Sequence, residues 1–449
     1  MGDHLSRENL IPSGIPHSKD LLAEGRTLGQ AIKIGRTRFM DEHGVDSEAE
    51  YKRRMRERGE LMLHFQFGLS DWKESSKGLS HIHRQIAERG GRVDRFGICL
   101  DRIMGLPSHM RDELQPETGL KLKSEEEWLA IGEAVPIQPH LGDHMVGSPA
   151  SVANLTFALQ AGVTTVGNLA HYFAYDYPQW NDESSRLVDT MKALGIMAHL
   201  QDRGVILHSN LCDSPATLFD DRANYIGWAM LERYIVEDLV GAELAHCFGN
   251  MVTAPGMRLA LLLAVDQVHG GETAGSHINA NTMLSPDLDR NAATVSASLL
   301  FDMVGQLHNP TGHAVQALPL TEYSRIPSPD EIVQVQVLAD QLKKEVQEAA
   351  EVTDMSPVQR TRDALLRGGE TFKDNVLKGL AAMDIDIQEP LEILVALRRI
   401  AGPSMEERFG AGELDPDCVG SRRPIVPSVS FAYRQEICRA VKEGVRELQ

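Results

Sequence analysis

The sequence predicts a parallel (β/α)8 barrel over residues 91–402, preceded by a helical N-terminal arm (1–90) and followed by a C-terminal appendage (403–449). Three observations predict it. From Gly91 onward, β-type runs near residues 93, 136, 163, 196, 242, 273, 313 and 383 alternate with helical stretches. Their spacing is close to the ~250 residues of such a barrel plus insertions. Neither G-x-G-x-x-G nor a P-loop occurs, as an open nucleotide-binding sheet would more often show.

A chain of 449 residues, 42% hydrophobic, can bury a large core. Its net charge of −19, from 64 acidic against 45 basic residues, argues against general binding to nucleic acid or an anionic membrane. Five widely spaced cysteines (Cys99, Cys212, Cys247, Cys418 and Cys438) include no C-x-x-C pair, so a disulfide framework and a cysteine zinc site are not expected. The expectation is a reducing cytoplasm. The N-terminus lacks an export-type apolar run, and no segment approaches ~18 consecutive apolar residues.

In chain order, the run 48–65 reads as a charged helix with a narrow apolar stripe. VDRFGICLD (93–101) reads as the first strand and EEEWLAIGEA (125–134) as a helix. PIQPHLGDH (136–144) and VTTVGN (163–168) frame the apolar helix around ASVANLTFALQAG. The helix within 182–195 is expected to stop at Gly195 and feed a strand, IMAHLQDR (196–203). Helix 220–241 leads to AELAHCFGN (242–250), helix 255–271 to TAGSHINAN (273–281), and helix 291–307 to HAVQALPLTEY (313–323). SPDE (328–331) is a capping box with Pro at the first helical position. AAMDIDIQ (381–388) reads as the eighth strand and 390–400 as the last helix.

A parallel barrel gathers its functional groups at the strand C-termini. The predicted pocket therefore draws Asp101 and Arg102 from the first strand, His140, Asp143 and His144 from the second, and Asn168, His171, Tyr172 and Tyr175 from the third. Asp202 and Arg203, His246 and Asn250, His277, Asn279 and Asn281, and Glu322 follow from strands four to seven. Two chemistries compete. His246 and His277, with Asp384 or Asp386, suit a metal-dependent barrel hydrolase, although the H-x-H pair such sites need on strand one is missing. A pocket rich in Asn, His and Tyr suits a radical cofactor that abstracts hydrogen inside a water-excluding barrel. A barrel without catalysis, serving as a scaffold, is the third alternative.

AVQALPLTEYSRIPSPDE (314–331) resembles the strand, acidic residue and helix entry of the large subunit of methylaspartate (glutamate) mutase, an adenosylcobalamin-dependent isomerase. PIQPHLG (136–142), AGVTTVGN (161–168), YDYP (175–178) and KGLAAMDIDI (378–387) are similar to further segments of that family in the same order. The resemblance implies an intramolecular rearrangement of a small acidic or amino-acid-like substrate, with hydrogen abstraction by a deoxyadenosyl radical. It also implies a small cobalamin-binding partner subunit and assembly as a homodimer of barrels or a heterotetramer. On it, Glu322 matches the residue that binds the adenosyl ribose, with His277 and Asn281 beside the cofactor. Arg102, His140, Asn168, Tyr172, Tyr175, Arg203 and Asn279 would hold substrate, and Asn168, Tyr175, His246 and His277 would serve the reaction; no metal ligands are assigned. The chain departs from the family where it matters for substrate: Arg102 alone stands for three arginines, and Leu318 replaces a lysine.

Overall fold

The computed structural model describes residues 5–271, 275–279, 283–416, 422–432 and 435. Eight parallel strands alternate with helices: β1 (Leu63–Phe67), β2 (Arg95–Ile98), β3 (Gln138–His140), β4 (Thr165–Gly167), β5 (Ile206–Asn210), β6 (Leu244–Cys247), β7 (His277–Ile278) and β8 (Ala314–Gln316). They form a five-stranded sheet, ordered β3-β2-β1-β8-β7, and a three-stranded sheet, ordered β4-β5-β6. Among the described residues the strands do not form a full eight-stranded hydrogen-bonded ring. Among the described residues each seam between the sheets is one isolated parallel bridge, Leu141 to Val166 and Phe248 to Ile278. Proline explains the first. Gln138 donates toward β2 through Asp94 O, at 3.1 Å, so the next residue, Pro139, faces β4 and has no N–H to offer.

Six of the expected strands lie where the sequence placed them, and two do not. Residues 196–203 are the end of helix Glu183–Leu200 and a 3-10 turn, Gln201–Arg203. Gly195 does not stop that helix. It lies where helix Ser18–Ala31 crosses, and a Cβ there would sit 2.6 Å from Leu22 O and 3.1 Å from Gly25 Cα. The stop is Gly204, at φ 76°, and the strand that follows is ILHSN (206–210). Residues 381–388 are likewise no strand. Helix Ser356–Ala382 ends through Asp384 at φ 62°, and Ile385 N returns to Leu380 O at 3.1 Å while its side chain is buried. The alternation D-I-D-I reads as a strand, but its first isoleucine anchors a helix end.

The missing strand comes from the segment expected to be a helical arm. Helix Glu48–Arg58 ends at Gly59 in the left-handed region, and LHFQF (63–67) then pairs with β2 on one side and β8 on the other. The described part of the expected arm, residues 5–90, is therefore part of the fold. Helix Glu48–Arg58 also buries Glu48, Ala49 and Lys52, with Ala49 packed on Ile206 and Ala245 at the strand N-termini. Among the described residues no helix is long and apolar enough to cross a membrane.

Candidate functional site

Successive residues of a strand point to opposite sides, and residues paired in parallel register point to the same side. The pairings Gly97–His140, Gly167–His208 and His64–Arg95 therefore place one set of side chains on the inner face. That set contains His64 of β1, His140 of β3, His208 of β5 and His277 of β7, each at most 2% exposed. Alternate strands supplying one layer of four side chains is the packing of a parallel barrel interior. The intervening strands make room with glycine. A Cβ on Gly97 would lie 2.1 Å from Gln66 Oε1, and one on Gly167 would lie 2.5 Å from His208 Cδ2.

Toward the strand N-termini this layer rests on a buried charge cluster. Glu48 Oε1 is 3.0 Å from Lys52 Nζ and 2.8 Å from Arg95 Nε, and Lys52 Nζ also donates to Ser276 O at 2.8 Å. Desolvation pushes the Lys52 ammonium down to about 8, and burial together with Arg95 holds all four histidines well below their ordinary range. His140 Nδ1 faces Thr165 O at 3.1 Å, so it donates and leaves Nε2 with the lone pair. His208 Nδ1 and Ser276 Oγ are 2.7 Å apart. Arg95 donates to His277 Nδ1 at 2.8 Å, and His277 Nε2 is 3.4 Å from Cys247 Sγ.

At the strand C-termini a polar mouth is built around a residue the sequence reading missed, Asp213. Its Oδ2 accepts from Asn168 Nδ2 and Asn210 Nδ2, both at 2.9 Å, and lies 3.4 Å from His171 Nε2. Asn210 Oδ1 accepts in turn from Asn279 Nδ2 at 3.2 Å. Tyr175 stacks at a tilt on His171, with centroids 4.4 Å apart, and meets His144 edge-on at 5.4 Å. Asp143 stands beside them. Desolvation, opposed by His171 and helped by Asp213, lifts its carboxyl to about 6. Burial next to Asp213 and Asp143 lifts the Tyr175 phenol to about 12. Arg102 pairs with Glu117 at 3.1 Å, and its charge adds to the burial and the neighbouring His171 that hold His144 well below its ordinary range. Glu322 is exposed on the turn after β8, and its charge, with that of Asp143, adds to the burial that raises the Cys99 thiol.

The expected site residues thus separate into groups. Asn168, Tyr175, Asn279, Arg102 and Glu322 stand at the strand C-terminal end. Asn168 is committed inside the protein, since its Oδ1 accepts from Ala170 N and Asn210 N, so it positions Asp213 rather than presenting a free amide. His140 and His277 lie in the buried layer below. Arg203 is a correction: it is exposed at the N-terminal end of β5, beside a cavity of about 490 Å3 that Arg36, Asp46 and Arg53 also line. Tyr172 is another, fully buried between Arg186 and Arg398, whose guanidinium carbons lie 5.3 and 5.5 Å from its ring. His246 points out of the sheet. Its Nε2 meets Glu232 Oε2 at 2.9 Å and its Nδ1 meets His269 Nε2 at 2.8 Å. The pair His246 and His277 therefore faces opposite sides and cannot share a metal. Asn281 and the C-terminal Cys418 and Cys438 lie outside the described residues.

Two displaced strands account for the residues absent from the predicted pocket. A strand at 196–203 would carry Asp202 and Arg203 to the mouth, whereas the strand at Ile206–Asn210 carries Asn210 and Asp213. Residues 48–65 are a helix followed by the start of β1, which holds His64. The available signal was a histidine flanked by β-type or apolar residues in LHF, PHL, LHS and SHI.

A cavity of about 860 Å3 lies elsewhere, between the N-terminal segment and helix Pro390–Arg399. Of its charged groups, Arg7 pairs with Glu392 and Glu389 accepts from Ser18 N, so the mouth is the better functional candidate. No protein-family model matches the chain, and no curated protein is significantly similar to it.

Proposed function

We propose that the chain is the barrel subunit of an adenosylcobalamin-dependent mutase acting on a small amino-acid-like substrate. This reading takes the two sheets, with their two bridging seams, as one closed (β/α)8 barrel. The observation that carries it is the asymmetry of the mouth. The loops after β2 to β5 supply the polar wall of Arg102, Asp143, His171, Tyr175 and Asp213, whereas the segments after β6, β7 and β8 expose large apolar side chains. Met251, Met283, Leu288, Tyr323 and Ile326 are each between 46% and 59% exposed, with Glu322 among them. A polar pocket beside an apolar rim suits a small substrate covered by a large, flat cofactor on a partner protein.

The residues present fit such a group in part. Glu322 N donates to Pro319 O at 3.1 Å, and its carboxylate, exposed and without a hydrogen-bond partner among the described residues, would hold the adenosyl ribose, while Leu318, buried where the resembling family has a lysine, offers nothing. When bound, the cofactor supplies a carbon-centred radical that abstracts hydrogen from the substrate. The chain's own residues bind, orient and exclude water. Asp213, held by Asn168, Asn210 and His171, and Asp143 would receive a substrate ammonium; Tyr175 would close the pocket over it, and Arg102 would meet a carboxylate. With two carboxylates and one arginine here, an amino acid suits the pocket better than a dicarboxylate.

The test mixes the full chain with a D-x-H-x-x-G corrin protein, adenosylcobalamin and candidate amino acids, and follows a substrate-dependent radical signal. A signal lost in Asp213→Leu and weakened in Glu322→Gln is expected. Absence of corrin binding by the reconstituted pair overturns the reading and leaves the scaffold alternative.

A further inference from the structure

We propose that His140, His208 and His277 hold one zinc-type transition-metal ion that cross-links the two sheets. The inference is independent of the mutase reading. It starts from a polar deficit: in a fully buried layer, His140 Nε2 and both ring nitrogens of His64 have no hydrogen-bond partner among the described residues. Buried polar atoms are nearly always satisfied, and a set of them in one layer points to something they bind.

Geometry selects an ion. One ligand nitrogen from each of the three histidines lies within 4.8 Å of the others, the only such His, Cys, Asp or Glu group among the described residues. The ring centroids form a triangle of 4.6, 5.6 and 5.4 Å. With metal–nitrogen bonds of about 2.05 Å and about 1.15 Å from nitrogen to ring centre, imidazoles on one tetrahedral ion have centroids about 5.2 Å apart. The rings already stand at that spacing, so closing the nitrogens requires rotation rather than movement of strands.

The surroundings are those of metal-bound imidazole, in which the second ring nitrogen is fixed by a protein group. His140 uses Nδ1 on Thr165 O, and His208 uses Nδ1 on Ser276 Oγ. At His277 the guanidinium of Arg95 occupies Nδ1; coordination there moves Arg95 wholly onto Glu48, already 2.8 Å away. The buried carboxylate of Glu48 is matched by Arg95 and Lys52, so the described residues offer no oxygen cage for Mg2+ or Ca2+, while an all-imidazole set suits zinc or copper. His64 stacks on His277 at 4.6 Å and supplies an unused polar ring for a small fourth ligand. β3 and β7 are the edge strands of the five-stranded sheet and β5 is the centre of the other. An ion bound to all three ties together two sheets that, among the described residues, share single bridges.

The test purifies the full chain from zinc-supplemented cells, dialyses it against a weak chelator, and measures metal by mass spectrometry and coordination by X-ray absorption. About one zinc per chain with about three imidazole ligands is expected, lost in His140→Gln and His208→Gln and retained in His246→Gln. Ser276→Ala should weaken zinc binding about 10- to 100-fold. Wild-type protein without retained zinc, zinc with sulfur or fewer than three imidazole ligands, or zinc kept in both layer variants overturns the proposal. X-ray absorption of the wild-type chain decides the matter even if the variants fail to fold.

Discussion

Replacing Arg258 by Met is the most demanding test of how the rim is held. Arg258 lies on helix Pro255–Val268 and is 1% exposed; its partner Asp302, on helix Leu288–His308, is 3% exposed. The guanidinium reaches Asp302 twice, at 2.8 and 2.5 Å, and donates to Gly249 O at 2.6 Å, Val252 O at 3.0 Å and Asn279 O at 2.8 Å. One side chain therefore fastens the segments after β6 and β7 to a helix behind them. Met fills comparable volume but leaves a buried carboxylate and three carbonyls without their donor, at a cost of about 3–5 kcal/mol. Converting Asp302 to Leu as well removes the unmatched charge, and Arg258→Met/Asp302→Leu should recover more than half of the loss. Urea titration at pH 7 measures both. Burial already raises the Asp302 carboxyl against the pull of Arg258, and without Arg258 it rises further. A raised folded-state value means stability that is present at low pH and lost as pH rises through that value, so the Arg258→Met deficit should shrink on acidification. A single variant within about 1 kcal/mol of wild type, or a double variant less stable than the single, would refute the reasoning.

Other consequences are as direct. His313 is buried between Thr311 Oγ1, at 2.6 Å, and His246 O, at 3.0 Å, and desolvation lowers it to about 3. Its contribution is present above the unfolded value and lost as pH falls from about 6.5 toward 3, so His313→Leu should flatten the acid limb of stability by about 1.4 kcal/mol per pH unit. An unchanged slope in urea midpoints against pH counts against this. Gly25→Ala would stabilise an open helix, yet here the new Cβ meets Lys192 O at 2.1 Å; a loss of about 1–3 kcal/mol is expected, and a gain in melting temperature would contradict the crossing. Ser328→Ala removes the hydroxyl that accepts from Glu331 N and donates to the Glu331 carboxylate, costing about 0.5–2 kcal/mol in thermal or urea unfolding.

The capping box at Ser328 and the strands around residues 95, 138, 165, 244, 277 and 314 could be read directly from the sequence, because caps and β-type runs are local signals. Glycine was ambiguous. Gly195 and Gly204 both look like helix stops, and only the crossing of helix Ser18–Ala31 shows that the first serves close packing and the second the turn. The same shift hid Asp213 and Asn210, the centre of the mouth, behind the adjacent Asp202 and Arg203. β1 was hidden because a charged helix runs almost into it, and its value lies in pairing with β2 and β8, hundreds of residues apart in the case of β8.

The alternating rhythm of strands and helices and the chemical types available at the strand ends are legible in the residues alone. Which histidines look inward, His64, His140, His208 and His277, and which looks outward, His246, was decided only by tertiary structure. Strands of a parallel sheet covered on both faces carry apolar residues on both, so the two-residue alternation that would distinguish inside from outside is absent from the sequence. Register with neighbouring strands supplies it, and register is a property of the assembled sheet.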